Sequence, residues 1–430
     1  MKNCIDILNN LELSELLAAY YDCRKKKRRT LSALRFEINY ERNLYRLWRD
    51  IVSKRYHIRP SSAFIVTYPV RREVFAASFR DRIVHHLVIN RIMAIMERIF
   101  IRHSYSCRVG KGTLDGIVCV DDMLRQSSDK YSRDSYILRL DIRGFFFHIN
   151  KEILLEKLKK LINENYFEDN KETLLYLLEE TLMNNPINGC YLRSDKSQWD
   201  MLPRSKSLFF SFENCGLPIG NLTSQIFANF YLNDLDHYIE SLDENLFYGR
   251  YVDDLVLVHK DRHFLEQAKV KIQHYLMTHL KLQIHPLKIS LTHYGQGCAF
   301  IGAYIKPGRI YPSKRFQKAF FRRIEVLNAK WHACKGCYDK ALVDETLSSI
   351  NSYFGLLKYF TAFRIKIKAW NRLCPEIRSV FHADVHLNKI ILDPQIKKIF
   401  SVTARLKYFP PFRGVKYLPP PQKKKKNPRK

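Results

Sequence analysis

A chain of 430 residues with 46% hydrophobic side chains can fill two or three cored domains. Its 73 Lys and Arg against 43 Asp and Glu leave a formal charge of +30, which points to a polyanionic partner bound with salt-dependent affinity. No stretch is apolar enough to span a membrane, residues 1–6 lack a signal-peptide pattern, and the ten cysteines follow no disulfide framework, so a cytoplasmic protein with reduced thiols is expected.

Residues 8–57 show helical periodicity, with Leu8, Leu11, Leu13, Leu16 and Leu17 before a basic run at 24–29, and Leu34, Phe36, Ile38, Leu44, Leu47 and Trp48 after it. Residues 58–67 read as extended around Pro60, and 81–100 as a long helix carrying Ile83, Leu87, Val88, Ile92, Ile95 and Met96. His85 and His86 on that helix face different ways and have no carboxylate at a ligating offset, which argues against a metal role. Ile137-Leu138-Arg139-Leu140 reads as a strand that delivers Asp141 and then enters the aromatic turn Gly144-Phe145-Phe146-Phe147. One or two helices are expected over 151–183 and an irregular stretch over 184–215. Gly216 and Gly220 remove side-chain bulk where a backbone would approach a base pair closely, and Pro218 stiffens the loop before a helix expected over 222–241.

Tyr251-Val252-Asp253-Asp254 lies between the short runs Phe247-Tyr248 and Leu255-Val256-Leu257-Val258, the pattern of a β-hairpin with two adjacent carboxylates at its turn. Neighbouring aspartates serve one site only if the backbone turns sharply between them, and so close a pair resists full ionisation unless a hard cation such as Mg²⁺ neutralises it. With Asp141 the count becomes three carboxylates on two strands, which suits a two-metal site for in-line phosphoryl transfer. Residues 314–374 again have helical period. The lone Cys334-Lys335-Gly336-Cys337 has no second pair at zinc-ribbon spacing, and the proline- and lysine-rich stretch from 409 resists packing.

Asp141-Ile142-Arg143-Gly144-Phe145-Phe146, then Gly216-Leu217-Pro218-Ile219-Gly220-Asn221-Leu222-Thr223-Ser224-Gln225, then Tyr251-Val252-Asp253-Asp254, then Phe300-Ile301-Gly302, resembles in this order the palm of reverse transcriptases. Arg72-Glu73-Val74-Phe75-Ala76-Ala77 and Asp81-Arg82-Ile83-Val84-His85-His86 resemble the fingers motifs of the bacterial enzymes. The resemblance implies an α+β fold of right-hand polymerase architecture. It divides into a helical basic segment (1–57), fingers (58–135), palm (136–310, with insertions around 151–215), helical thumb (311–408) and a disordered basic tail (409–430). It also implies two Mg²⁺ ions, with Mn²⁺ as substitute, held by Asp141, the backbone of Ile142, Asp253 and Asp254. Phe146 would exclude the 2′-hydroxyl of ribonucleotides, unless it is one of the core phenylalanines. Arg72, Arg108 and Lys111 would neutralise the triphosphate, and Gly220 and Gln225 would lie against substrate. Lys288 would be a general acid near the departing pyrophosphate, or else a solvated lysine beside a proline turn.

Ile219-Gly220 and Leu222-Thr223-Ser224-Gln225 depart from the Gln-Gly and Ser-Pro common in group II intron and retron enzymes and resemble the reverse transcriptases of diversity-generating retroelements. That implies copying of a template-repeat RNA into DNA with errors at adenine, in a bacterial host cell, with Ile219 as a fidelity residue. The implied partners are structured template RNA, a DNA primer, deoxynucleoside triphosphates and an oligomer of a small basic accessory protein. A more faithful retron, intron or defence enzyme is the alternative within the class. A non-catalytic RNA-binding scaffold is the alternative outside it, against which the three intact aspartates count.

Overall fold

Helical periodicity near the start of the chain resolves into three helices, Leu13–Arg24, Leu31–Glu37 and Tyr40–Val52, the second capped by Thr30, which accepts the Ala33 N–H. The computed structural model describes residues 11–25, 30–68, 70–334, 336 and 339–396. Most of the expected basic run at 24–29, and the whole tail from 409, lie outside the described residues. Two compact units divide the chain, 1–293 and 294–430.

In the first unit, Leu16, Tyr20, Leu44 and Leu47 are buried in one core with the long helix Phe79–Ile99. That helix buries Ile83, Val84, Leu87, Val88, Ile92 and Met96, more than one face, because Leu13–Arg24 and Leu222–Tyr231 both pack on it. His85 is buried there as well, and burial, then Arg82 and His86, push its pKa down to about 3, so it is neutral.

Strands β1 (Ser62–Val66) and β2 (Arg72–Ala76) form an antiparallel hairpin in which Ser62 pairs with Ala76. A second sheet is built from β3 (Tyr136–Asp141), while the short β4 (Tyr191–Leu192) adds to β1 in parallel. Joining β3 are β5 (Phe247–Tyr251), β6 (Asp254–His259) and β7 (Ser290–His293), in the antiparallel order β5-β6-β3-β7. The two central strands bury Leu138, Leu140, Leu255 and Leu257, so they read as apolar runs with little alternation. Helix Arg262–His279 packs on β6 and β3, and helix Thr113–Ser127 on β5 and β6.

Two expectations change in detail. The helix expected over 222–241 is broken at Leu232 into Leu222–Tyr231 and Asn233–Glu240, and the second piece carries Asp236 into the core, where it meets Tyr248 and Arg250. The stretch 184–215 contains a short helix, Lys196–Asp200, and is tied to β2 by Glu73. That carboxylate is buried and accepts from the Ser207 hydroxyl at 2.7 Å and the Leu208 N–H at 2.6 Å.

The second unit begins with a meander of β8 (Cys298–Phe300), β9 (Ala303–Lys306) and β10 (Arg309–Pro312). Helices Lys314–Ala333, Lys340–Leu357, Phe363–Arg372 and Pro375–Val380 follow and surround Phe320, Trp331, Phe354 and Phe381. The Trp331 indole N–H donates to Thr346 at 2.9 Å inside this core. Among the described residues no helix is long and apolar enough to cross a membrane.

Candidate active site

Antiparallel pairing of Tyr251 with Asp254 leaves Val252 and Asp253 as a two-residue turn. Val252 takes φ +58°, a left-handed conformation that is costly for a β-branched residue and persists only where the surroundings enforce it. Two hydrogen bonds do so: Arg250 donates to the Val252 carbonyl at 3.1 Å, and the Ile142 N–H donates to the Asp253 carbonyl at 3.1 Å. Arg250 is itself fully buried, with its guanidinium bonded to Asp236 through both carboxylate oxygens and to Asn229 Oδ1 at 2.9 Å. Tyr248 donates to Asp236 at 2.7 Å. A satisfied ionic network inside the core therefore shapes the turn that carries Asp253.

The β3–β6 register sets Asp141 directly opposite Asp254, so all three expected aspartates meet at one end of the sheet. Burial, then Asp254, then Asp141, pushes the Asp253 carboxyl up to about 7. Burial also raises Asp254, opposed by Arg139, whose guanidinium lies 3.8 Å away, and reinforced by Asp141. Lys288 donates to Asp141 at 2.7 Å. The donor set consists of hard oxygens with excess negative charge and a carboxyl that resists ionisation, a chemistry that fits Mg²⁺ or Mn²⁺.

The aromatic turn is a single helical turn, Phe145–His148, after Gly144 at φ +55°. Phe145 is core, Phe147 packs beside Phe75 and Leu208, and Phe146 is half-buried with its ring edge-on to Phe145 at 5.5 Å. Arg72 is exposed on β2. Arg108 has only 7% of its side chain exposed, and its guanidinium is bonded to Glu97 and to the carbonyls of Ile101 and Ser104, so its contacts are those of a structural tie. Lys111 lies 3.7 Å from Asp115. Gly220 has φ +121°, and a Cβ there would come within 2.7 Å of Val74 and 3.0 Å of the Phe75 carbonyl; the crowding that requires glycine comes from β2. Ile219, half-buried, accepts the Phe75 N–H at 2.8 Å, and exposed Gln225 accepts from Cys107 at 3.6 Å. The loop is thereby fastened to the β1–β2 hairpin.

Sequence reasoning missed Arg250 and Arg139, whose only signal was a charged residue inside an apolar strand, and Asp236, one of three acidic residues on helix Asn233–Glu240. It also missed a cleft of about 1030 Å³ between the N-terminal helices and β1–β2. Exposed Arg35, Arg46, Arg49, Arg59 and Arg193 line it beside exposed Tyr191, over whose ring Arg193 lies 5.7 Å from the centroid. Cations interleaved with an aromatic ring suit a single-stranded polyanion.

Residues 70–305 match the family described as Reverse transcriptase (RNA-dependent DNA polymerase). No curated protein matches the chain. Among solved structures it is similar to apo telomerase from Candida Tropicalis truncated from its C-terminal domain, with TM-score 0.45, 10% identity, and coverage of 62% of this chain and 59% of that one. It is similar also to telomerase from Candida albicans in complex with a TWJ fragment of telomeric RNA, with TM-score 0.43, 10% identity and coverage of 73% and 58%. Apo telomerase from Candida Tropicalis gives TM-score 0.44, 11% identity and coverage of 75% and 59%. The chain spans about three fifths of the length of these telomerase chains.

Proposed function

Since the chain belongs to the reverse transcriptase (RNA-dependent DNA polymerase) family, we propose that it copies an RNA template into DNA at the site formed by Asp141, Asp253 and Asp254. The observation that carries this reading is the convergence of the three carboxylates at the end of β3 and the β5–β6 turn, within the matched residues. Two Mg²⁺ ions, or Mn²⁺ in their place, would be held by these carboxylates and the Ile142 carbonyl and would supply charge neutralisation at the attacking 3′-hydroxyl and the departing pyrophosphate. Lys288, already within hydrogen-bond reach of the site, donates a proton to the pyrophosphate. Exposed Arg72 receives the triphosphate with Lys111, and Phe146 screens the sugar. Residues 58–135 act as fingers, 136–310 as palm and 311–408 as a thumb on the primer strand. The arginine-lined cleft and the overall charge supply the electrostatic part of template binding.

The loop Ile219-Gly220…Leu222-Thr223-Ser224-Gln225 supports a finer reading, a mutagenic enzyme of a diversity-generating retroelement acting in the cytoplasm of a bacterial host. An apolar, β-branched Ile219 offers no hydrogen bond beside the nascent pair, which relaxes selection there. An oligomer of a small basic accessory protein and the structured RNA together position synthesis on the repeat. Sequencing the DNA made on a defined RNA template tests this: errors concentrated opposite template adenine are expected, and a low, even error spectrum overturns the retroelement reading in favour of a faithful reverse transcriptase.

A further inference from the structure

Helix Lys314–Ala333 ends beside the start of the short helix Pro375–Val380. Asn328 and His332, one helical turn apart, both reach that junction. Asn328 accepts the Cys374 N–H at 3.0 Å and donates to the Arg372 carbonyl at 2.8 Å, which clamps the backbone on either side of Leu373. His332 Nδ1 lies 3.3 Å from Glu376 Oε1. The Cys374 sulfur, an imidazole nitrogen of His332 and a carboxylate oxygen of Glu376 all lie within 4.8 Å of one another, the one trio of this kind among the described residues. Ligand atoms on a tetrahedral Zn²⁺ are spaced about 3.3–3.8 Å apart, so small side-chain adjustments would close the trio on an ion.

The details around the sulfur have the same sense. Cys374 is the N-cap residue of helix Pro375–Val380, whose first backbone N–H groups, at Ile377 and Glu376, act to lower its pKa without making a side-chain cap hydrogen bond. Burial pushes the thiol up to about 11 all the same, and the neighbouring Glu376 carboxylate adds to this. Glu376 Oε2 is buried without an N–H or O–H donor, and the carboxylate is hydrogen-bonded by the Cys374 thiol. A cation at the centre would neutralise thiolate and carboxylate together and give that oxygen a ligand.

We propose that Cys374, His332 and Glu376 form a Zn²⁺ site, with water as the fourth ligand, that staples helix Lys314–Ala333 to Pro375–Val380. Binding releases the thiol proton to solvent and involves no change of oxidation state. A soft thiolate and an imidazole select Zn²⁺ here, in contrast to the all-oxygen aspartate site.

The test uses the full chain. Purified protein, loaded with Zn²⁺ and washed with a weak chelator, is expected to retain one Zn²⁺ per chain by elemental analysis. The Co²⁺-substituted protein should show tetrahedral visible bands with a thiolate-to-cobalt charge-transfer band. Cys374→Ser should remove the retained ion and the charge-transfer band. His332→Ala, at a more exposed position that leaves the core intact, should weaken binding at least tenfold. Cys334→Ser should keep the ion, since the site does not use that thiol. Absence of a retained ion in the parent chain, retention by Cys374→Ser, unchanged affinity in His332→Ala or loss in Cys334→Ser overturns the proposal.

Discussion

Asp236→Ala strikes the network that shapes the Val252-Asp253 turn. Arg250 and Asp236 are both fully buried, and the pair is joined by Tyr248 and Asn229. Removing the carboxylate leaves a guanidinium inside the core without its counter-charge, a loss of about 3–5 kcal/mol. At a factor of ten for each ~1.4 kcal/mol, amide exchange over residues 247–259 should accelerate roughly 10²- to 10⁴-fold where opening is in fast equilibrium. Mass-spectrometric hydrogen exchange reads this directly. The double variant Asp236→Leu with Arg250→Met fills the space with apolar atoms and should recover protection to within about tenfold of the parent, since buried ion pairs are often replaceable. It should not recover DNA synthesis, because the donor to the Val252 carbonyl is gone. Protection within tenfold of the parent in Asp236→Ala, or full synthesis in the double variant, would refute the claim that this network holds the turn.

His85 offers a pH test. Its folded pKa of about 3 lies below the ordinary 6.5, so the unfolded chain takes up the proton first; the stability is present above pH 6.5 and falls as pH drops towards 3. Between pH 7 and pH 5 the loss is about 2 kcal/mol, and His85→Leu should remove it; equal pH dependence of urea midpoints in parent and variant contradicts the burial argument. Phe146→Ala should raise ribonucleotide incorporation at least about tenfold by opening space for the 2′-hydroxyl. An unchanged sugar preference in a folded, active variant assigns the ring to the core. Ile219→Gln should lower misincorporation opposite template adenine more than opposite other bases, a tenfold change needing only about 1.4 kcal/mol. Identical error spectra would put the source of infidelity elsewhere.

The hairpin around Asp253 and the strand ending in Asp141 were legible because both signals are local: apolar runs of strand length, and a turn that two adjacent aspartates require. That Asp141 would share a site with Asp253 and Asp254 was legible from metal chemistry and then from resemblance, but the register that sets it opposite Asp254 was not, since strand pairing is a long-range property. Arg250 and Asp236 were opaque for a related reason: a charged residue in an apolar strand reads as solvated until its partner, on a helix that breaks at Leu232, is brought to it. Glycine at position 220 was readable as a close approach, but the neighbours proved to be Val74 and Phe75 of β2. The arginine cleft draws on four separated segments and leaves no linear pattern, and Cys374 and Glu376 meet His332 only because two helix ends converge.

Primer extension by the purified chain on an RNA template, with deoxynucleotides and Mg²⁺, tests the central claim most directly when Asp253→Asn is run beside the parent. The substitution keeps the size of the side chain and removes the charge that the site needs, while the basic surface that holds the template is untouched. The account predicts DNA synthesis by the parent, loss of at least about 10³-fold in the variant, and template affinity equal in the two by filter binding. Synthesis at the parental rate in Asp253→Asn, or none by a parent chain that binds both template and primer, would contradict it.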